Sequence, residues 1–419
     1  MFSDGQREPA LPSFSPSRRA PSPIERRANP GVASGAVSLL DDPRLDHKLL
    51  EEIGFDRQRF ESARDALKSG ALTDKSSLVT KPLDPPPGVV DVPFEGPEAD
   101  RLRKIGEAAL RKGEIAVVVL NGGMATRFGN VVKGTVEVFD GKSFIGLKAA
   151  HVAKARAKYG APVPLVLMNS FATDAATKEH LAKHENYGLP AADLLTFTQS
   201  ISIRMTPDGE LFIGADGKPS YYAPGHGDFF HSIRASGILK SLAARGVTTL
   251  LFSNVDNLGA TVEPIIIGQH LALAAQMSAE VTAKRRTASG DWDKGGSPAV
   301  LDGRVQIVEG FRIPADLAPT HLPDFSTNNF VFDLKAIDRD VPLGWHLVKK
   351  KVDDRPAVQL ESIACEASAV NDAEGAPLFK LGLLRVPRDG DHGRFFPVKE
   401  RVDLEEMREI LKKRLASEI

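Results

Sequence analysis

Apolar residues Ile115 to Leu120 form an unbroken run, rich in valine, of the length and composition of a buried strand, and it stops abruptly at Asn121-Gly122-Gly123. Comparable runs recur at Pro164 to Met168, Leu194 to Thr198 and Thr248 to Asn254. Between them, helical spacing occupies the stretches near Gly146 to Lys158, Ala172 to Tyr187 and Gly227 to Arg245. Strands alternating with helices predict an α/β fold, a doubly wound, mixed but mainly parallel sheet with helices on both faces. In such a sheet, ligands bind where the strands end. The two chemically richest segments, Asn121 to Lys133 and Ser253-Asn254-Val255-Asp256-Asn257, both follow strand ends.

The flanking regions have other textures. Residues 1–40 are rich in Pro, Ser and Arg without apolar periodicity, which predicts a disordered N-terminal tail. Residues 41–98 combine one or two helices between Asp46 and Lys68 with a stiff connector from Lys81 to Pro97 that contains Pro-Pro-Pro. A helix over Asp100 to Lys112 then opens the main domain, 99–400. Beyond Ala279 the pattern turns strand-rich, with turn signals at Ser289-Gly290, Gly295-Gly296 and Asp302-Gly303, as expected of an antiparallel excursion. A charged helix, 401–419, closes the chain.

Composition narrows the partners. Lys and Arg total 54 against 55 Asp and Glu, so no charge excess points to nucleic acid or an anionic membrane, and any anion site must be local. A single cysteine, Cys365, excludes an internal disulfide framework and fits a buried small residue in a reducing compartment. No run reaches the roughly 18 apolar residues of a membrane span, and no apolar signal core opens the chain. The expectation is a cytoplasmic enzyme or binding protein of open assembly state.

The glycine loop suits an anion. Without Cβ atoms, Gly122 and Gly123 allow backbone N–H groups to approach a phosphate, and Arg127 and Lys133 add positive charge nearby. Its spacing is neither G-x-G-x-x-G nor a P-loop; Gly141-Lys142-Ser143 looks like a P-loop end, but Val136 stands where the required glycine belongs. Three further segments carry candidate chemistry. Gly225-His226-Gly227-Asp228 permits close backbone approach to a base or phosphate just before a helix. Asp256 puts a carboxylate at a strand end, where a hydrated Mg²⁺ bridging phosphates would sit. Lys399 ends the run Arg394-Phe395-Phe396-Pro397-Val398.

Taken in order, these segments resemble the motifs of the eukaryotic-type UTP:glucose-1-phosphate uridylyltransferases, the UDP-sugar pyrophosphorylases, over roughly residues 41–410. The loop L-N-G-G-M-A-T-R-F-G-N-V-V-K-G stands where the family reads close to L-N-G-G-L-G-T-x-M-G…P-K-S, and Gln199-Ser200, Gly225 to Asp228, Ser253 to Thr261, Lys294 to Gly296, Ser326 to Asn329, Gln359 to Glu361 and Phe395 to Lys399 match later motifs. The resemblance implies a Rossmann-like nucleotidyltransferase fold and Mg²⁺-dependent uridylyl transfer from UTP to a sugar 1-phosphate. It further implies that Leu120, Asn121, Gly122 and Gly123 hold UTP, that Gln199 and Gly225 read the uracil edge, and that Asp256 binds Mg²⁺. Asn254, Asn329 and Glu361 would line the sugar pocket, while Lys133, His226 and Lys399 would face phosphates; Arg127 adds a loop cation that the eukaryotic members lack.

The chain departs from the pattern at Ala125, in place of a glycine, and at Val132, in place of a proline. It also stops soon after Lys399, so the family's C-terminal β-helix is expected to be absent. A competing reading is therefore a UTP or UDP-sugar binding protein that has lost catalysis. Glucose is the default sugar from Asn329 and Glu361, with galactose, N-acetylglucosamine or a uronic acid as alternatives, and a dehydrogenase is opposed by the glycine spacing.

Overall fold

The computed structural model describes residues 38–125, 129, 131–286, 292–293, 295–314, 322–398 and 401–418. The expected tail up to residue 37, Arg127, the Ser289-Gly290 turn, Lys294 and Lys399 lie outside them. The chain divides into residues 1–42 and 43–419. In the first unit, Ser38 caps a short 3-10 turn, Leu39–Asp41, its hydroxyl accepting from the Leu40 amide at 3.2 Å.

The second unit is built on eight strands: β1 Val89–Asp91, β2 Ile115–Leu120, β3 Leu165–Asn169, β4 Leu194–Thr198, β5 Thr249–Asn254, β6 Met277–Ala283, β7 Asp324–Asp333 and β8 Leu381–Arg385. They lie in the order β1-β8-β6-β7-β5-β2-β3-β4. Every pairing is parallel except the two made by β7, which runs against β5 and β6. The mixed, mainly parallel sheet expected from the sequence is thus present. Strand β2 reads as an apolar run because both its faces are covered: Ala116 and Val118 join a core with Phe252 and Phe332, whereas Val117 and Val119 join another with Ile145 and Leu167.

Helices α1 His47–Glu52 and α2 Arg57–Lys68 each begin at an aspartate, Asp46 or Asp56, that accepts an amide hydrogen bond at 2.9 Å. They are followed by α3 Gly96–Arg111, α4 Phe144–Tyr159, α5 Asp174–Lys183, α6 Phe229–Ala235, α7 Ile238–Ala244 and α8 Pro264–Ala272. Ser143 caps α4, accepting from the Gly146 amide at 3.1 Å, so Gly141-Lys142-Ser143 is a turn and helix start. The antiparallel excursion is a hairpin, Ser297–Leu301 with Arg304–Val308, turning at Asp302-Gly303. A second hairpin pairs His346–Val352 with Arg355–Glu361.

The structure differs from the sequence pattern in four places. The Pro-rich connector contains β1, an edge strand of the main sheet. The helix expected over 227–245 is two helices separated by Ser236 and Gly237. The helix expected to reach Tyr187 ends at Lys183, because Glu185, Asn186 and Tyr187 take left-handed φ values of 50°, 53° and 54°. That turn brings the Tyr187 hydroxyl to 2.6 Å from His180 Nε2 and 2.9 Å from Ser143 Oγ. Finally, α8 was not anticipated, since Pro264-Ile265-Ile266-Ile267 is apolar on every side.

His270 on α8 is buried with its Nδ1 2.8 Å from Ser278 Oγ, and burial pulls its pKa from 6.5 down to about 4. The unfolded chain therefore takes up this proton first as pH falls. The stability it contributes is complete above pH 6.5 and is lost as pH falls through about 4, by up to about 3 kcal/mol. Urea denaturation at pH 7 and pH 4.5 should show a smaller acid loss for His270→Asn than for the wild type.

Candidate active site

The parallel pairing of β2 with β5 sets Leu120 beside Asn254, so the chain leaves both strands at one level. A cleft of about 400 Å³ opens there, lined by Leu120, Gly122, Gly123, Met124, Lys133, Met168, Gln199, Ala223, Gly225, His226, Asn254, Val255, Asp256 and Glu361. Ten of the residues expected from the sequence therefore converge on one cavity at the carboxyl ends of β2, β3, β4 and β5.

One wall is built by close backbone approach. A Cβ on Gly122 would lie 2.1 Å from Gln199 Nε2, so only glycine lets the Gln199 amide lie against this loop. Ser170 Oγ donates to the Gly122 carbonyl at 2.9 Å, and the Gln199 backbone N–H donates to the Asn169 carbonyl at 2.9 Å, which ties the walls from β2, β3 and β4 together. Opposite them, Gly225 has φ +89°, and a Cβ there would meet the Ser362 carbonyl at 2.5 Å. The Gly225 to Asp228 turn is thereby locked to the end of the second hairpin, with the Ser362 amide donating to the Pro224 carbonyl at 2.8 Å. His226 Nδ1 accepts from the Ala364 amide at 3.2 Å, which leaves its ring proton on Nε2. Burial lowers the His226 pKa, against the opposing pull of Glu309 and Glu361, and favours this neutral ring.

The charged end of the cleft is an ion pair. Lys133 Nζ donates to Asp256 Oδ2, with each side chain 18% exposed. Asn254 Oδ1 accepts from Asn328 Nδ2 at 2.9 Å, and Glu361 accepts from Gln359 and pairs with Lys350 at 3.4 Å. Ala125 and Val132, where the chain departs from the motif, lie on opposite sides of a short antiparallel pair, Met124–Ala125 with Val131–Val132.

Two expected residues are elsewhere. Asn121 is fully buried, its Nδ2 donating to Asn169 Oδ1 at 2.8 Å and Thr177 Oγ1 at 2.9 Å, so it anchors the loop from beneath. Asn329 is buried too, donating to Glu280 Oε2 at 3.2 Å and accepting from Asn257 Nδ2 at 3.0 Å; it supports the floor instead of lining the cleft. Arg127 and Lys399 are outside the described residues. Cys365 is buried and donates to Glu309 Oε1 at 3.2 Å, with burial raising its thiol pKa.

Sequence reasoning missed the polar floor. Lys148 on α4, Asn257, Glu280 and Arg394 are all buried; Arg394 Nε and Nη2 each reach a Glu280 oxygen at 2.7 Å. Asn257 Oδ1 accepts from the Phe396 amide at 2.9 Å, and the Val398 amide donates to the Asp256 carbonyl at 3.0 Å. The stretch leading to Lys399 is thereby stitched to the Asp256 loop. Only the places of Asn257, inside the Ser253 to Thr261 motif, and of Arg394, just before Phe395, hinted at this in the sequence.

The fold is that of the UDP-sugar pyrophosphorylases, a nucleotidyltransferase architecture. A UDP-glucose phosphorylase from Trypanosoma brucei superposes with a TM-score of 0.67 at 24% identity, over 85% of this chain and 77% of that one. The uridine diphosphate N-acetylglucosamine pyrophosphorylase of the same organism gives 0.64 at 19% identity, over 87% of this chain and 82% of that one. The family model described as UTP--glucose-1-phosphate uridylyltransferase matches residues 95–412, and the chain belongs to this family. Enzymes of that name from Saccharomyces cerevisiae and Hordeum vulgare are 31% and 34% identical, over 87% and 70% of this chain. The chain spans 72% and 61% of those two relatives, and 58% of a fission-yeast relative.

Gly225→Ala should destabilise the fold by about 2 kcal/mol, since it forces both a left-handed φ and a collision with the hairpin backbone. A shift of the urea midpoint at unchanged slope is the expected observation.

Proposed function

We propose that this chain transfers a uridylyl group from UTP to a sugar 1-phosphate, glucose 1-phosphate by preference, releasing pyrophosphate. The observation that carries this reading is the convergence, in one cleft, of the Gln199 amide packed on Gly122 with the Lys133–Asp256 pair. The first is suited to a base edge and the second to phosphates. Family membership supports UTP and glucose as the substrates.

A magnesium ion fits this site as a companion of the nucleotide. No group of three or more His, Cys, Asp or Glu side chains among the described residues would cage a resident metal, whereas Mg²⁺ commonly uses one or two carboxylates and completes its shell with phosphate and water. Asp256 would hold it. Its contribution when bound is to neutralise charge on the phosphates.

The attacking group is a sugar phosphate oxygen, largely ionised at neutral pH because its second pKa is about 6, so no general base is required. A bond forms from that oxygen to the α-phosphorus as the bond to the β-phosphate oxygen breaks, and pyrophosphate leaves with the electron pair. The barrier is repulsion between polyanions, which is lowered by alignment and positive charge. Lys133 serves by exchanging Asp256 for phosphate oxygens. His226, with its proton on Nε2, donates to phosphate. Gln199 and Gly225 face the uracil, Leu120, Gly122 and Gly123 border the nucleotide, and Asn254 and Glu361 face the sugar. Lys399 completes the cations of this proposal on the strength of its motif, and Arg127 on its place in the glycine loop. A cytosolic setting belongs to the same proposal and rests on the single cysteine; among the described residues no helix is long and apolar enough to cross a membrane.

The short ladder that carries Ala125 and Val132 favours a second reading, UTP binding without turnover. Pyrophosphate release from UTP and a panel of sugar 1-phosphates, with other nucleoside triphosphates as controls, separates the two. Release with glucose 1-phosphate and UTP is expected; binding without release for every sugar would select the second reading. Asp256→Asn and Lys133→Ala should each lower kcat/KM by about 10²-fold or more, as for loss of a preorganised charge. Near wild-type turnover in either would remove that residue from the mechanism.

A further inference from the structure

Helix α4 carries an ammonium group into the interior. Lys148 is 3% exposed, and its Nζ donates to the Asn257 carbonyl at 2.7 Å, the Ala260 carbonyl at 2.9 Å and Ser253 Oγ at 3.3 Å. All three acceptors come from the end of β5 and the loop after it, on both sides of Asp256 in sequence. Three acceptors use the three donors of an ammonium fully. Burial lowers the Lys148 pKa to about 7; the carboxylates of Asp256 and Glu280 oppose that shift, and the Arg394 cation adds to it.

A buried charge is costly, and an apolar side chain in a well-packed interior is often as stable or more so. What the lysine supplies is geometry. Two carbonyls and a hydroxyl separated along the loop are drawn to one point, which leaves the intervening Asp256 on the cleft side, where it meets Lys133. We propose that Lys148 is a positioning residue which clamps the loop from Ser253 to Ala260 from below, so that Asp256 and Lys133 are set for the phosphates of a bound nucleotide. This rests on the nucleotide reading of the cleft. The base-facing wall hangs from a different set of contacts, Gly122, Gln199, Asn169 and Ser170, and does not depend on the clamp.

The full chain and its Lys148→Met variant are compared by calorimetric titration with uridine and with UTP plus Mg²⁺, alongside thermal melting without ligand. The expected result is a UTP dissociation constant raised by about 10-fold, with uridine binding unchanged within about twofold. A merely structural lysine would weaken both ligands together or neither, and either result overturns the proposal. Should Lys148→Met fail to fold, Ser253→Ala decides: it removes one acceptor, and a loss of about threefold confined to UTP is expected. Unchanged UTP binding in a folded Ser253→Ala chain then overturns the clamp. If the wild type binds neither uridine nor UTP, the nucleotide reading itself has failed, and the clamp falls with it.

Discussion

The unbroken parallel register between β2 and β5 is the constraint from which the cleft follows. It pairs Ile115 with Thr249 at one end and Leu120 with Asn254 at the other, so the glycine loop and the Asp256 loop depart side by side. Because alternate residues of β2 serve two different cores, a slip of one residue would exchange its faces and expel Val118 from among the phenylalanines of one core. Register is thus paid for by packing on both faces of the sheet, and the position of the site is inherited from it.

Beneath that edge lies an interior more polar than the strands suggest. Glu280 on β6 meets Arg394, Asn329 on β7 links Glu280 to Asn257, and Asn257 in turn holds the Phe396 amide. Elements distant in sequence are joined by directional bonds instead of by apolar contact. In a low-dielectric interior such bonds are strong when complete and expensive when broken, which favours one arrangement of the floor over nearby alternatives. On the opposite wall, backbone contacts between Gly225 and Ser362 play the corresponding part.

Much of this was legible in the sequence, for physical reasons that also explain what was not. Strands β2, β3 and β5 were visible because burial demands apolar runs, and the loops after β2 and β5 were visible because glycine, amide and carboxylate residues interrupt those runs. Motif membership did not reveal side-chain direction: Asn121 and Asn329 belong to the same motifs as the cleft residues yet point into the protein. Lys148 was hidden because depth is not written in a helix with lysines at 148, 154 and 158; the first is buried, and only packing distinguishes it. Helix α8 opens on a wholly apolar turn, Pro264 to Ile267, and buries Gln269 and His270 as well, so it offered no stripe to read.

Strand β1 has a consequence for where this protein can be cut. It consists of Val89 to Asp91, within a proline-rich stretch, and pairs with Leu383 to Arg385 near the other end of the chain. The family match begins at residue 95, after this strand. A polypeptide trimmed to the matched boundary would keep every cleft residue and lose the three that cover β8. An uncovered strand edge is a template for intermolecular pairing. A boundary drawn from the family model alone is therefore tighter than the sheet it encloses, and the short segment outside that model acts as the selvedge of the sheet.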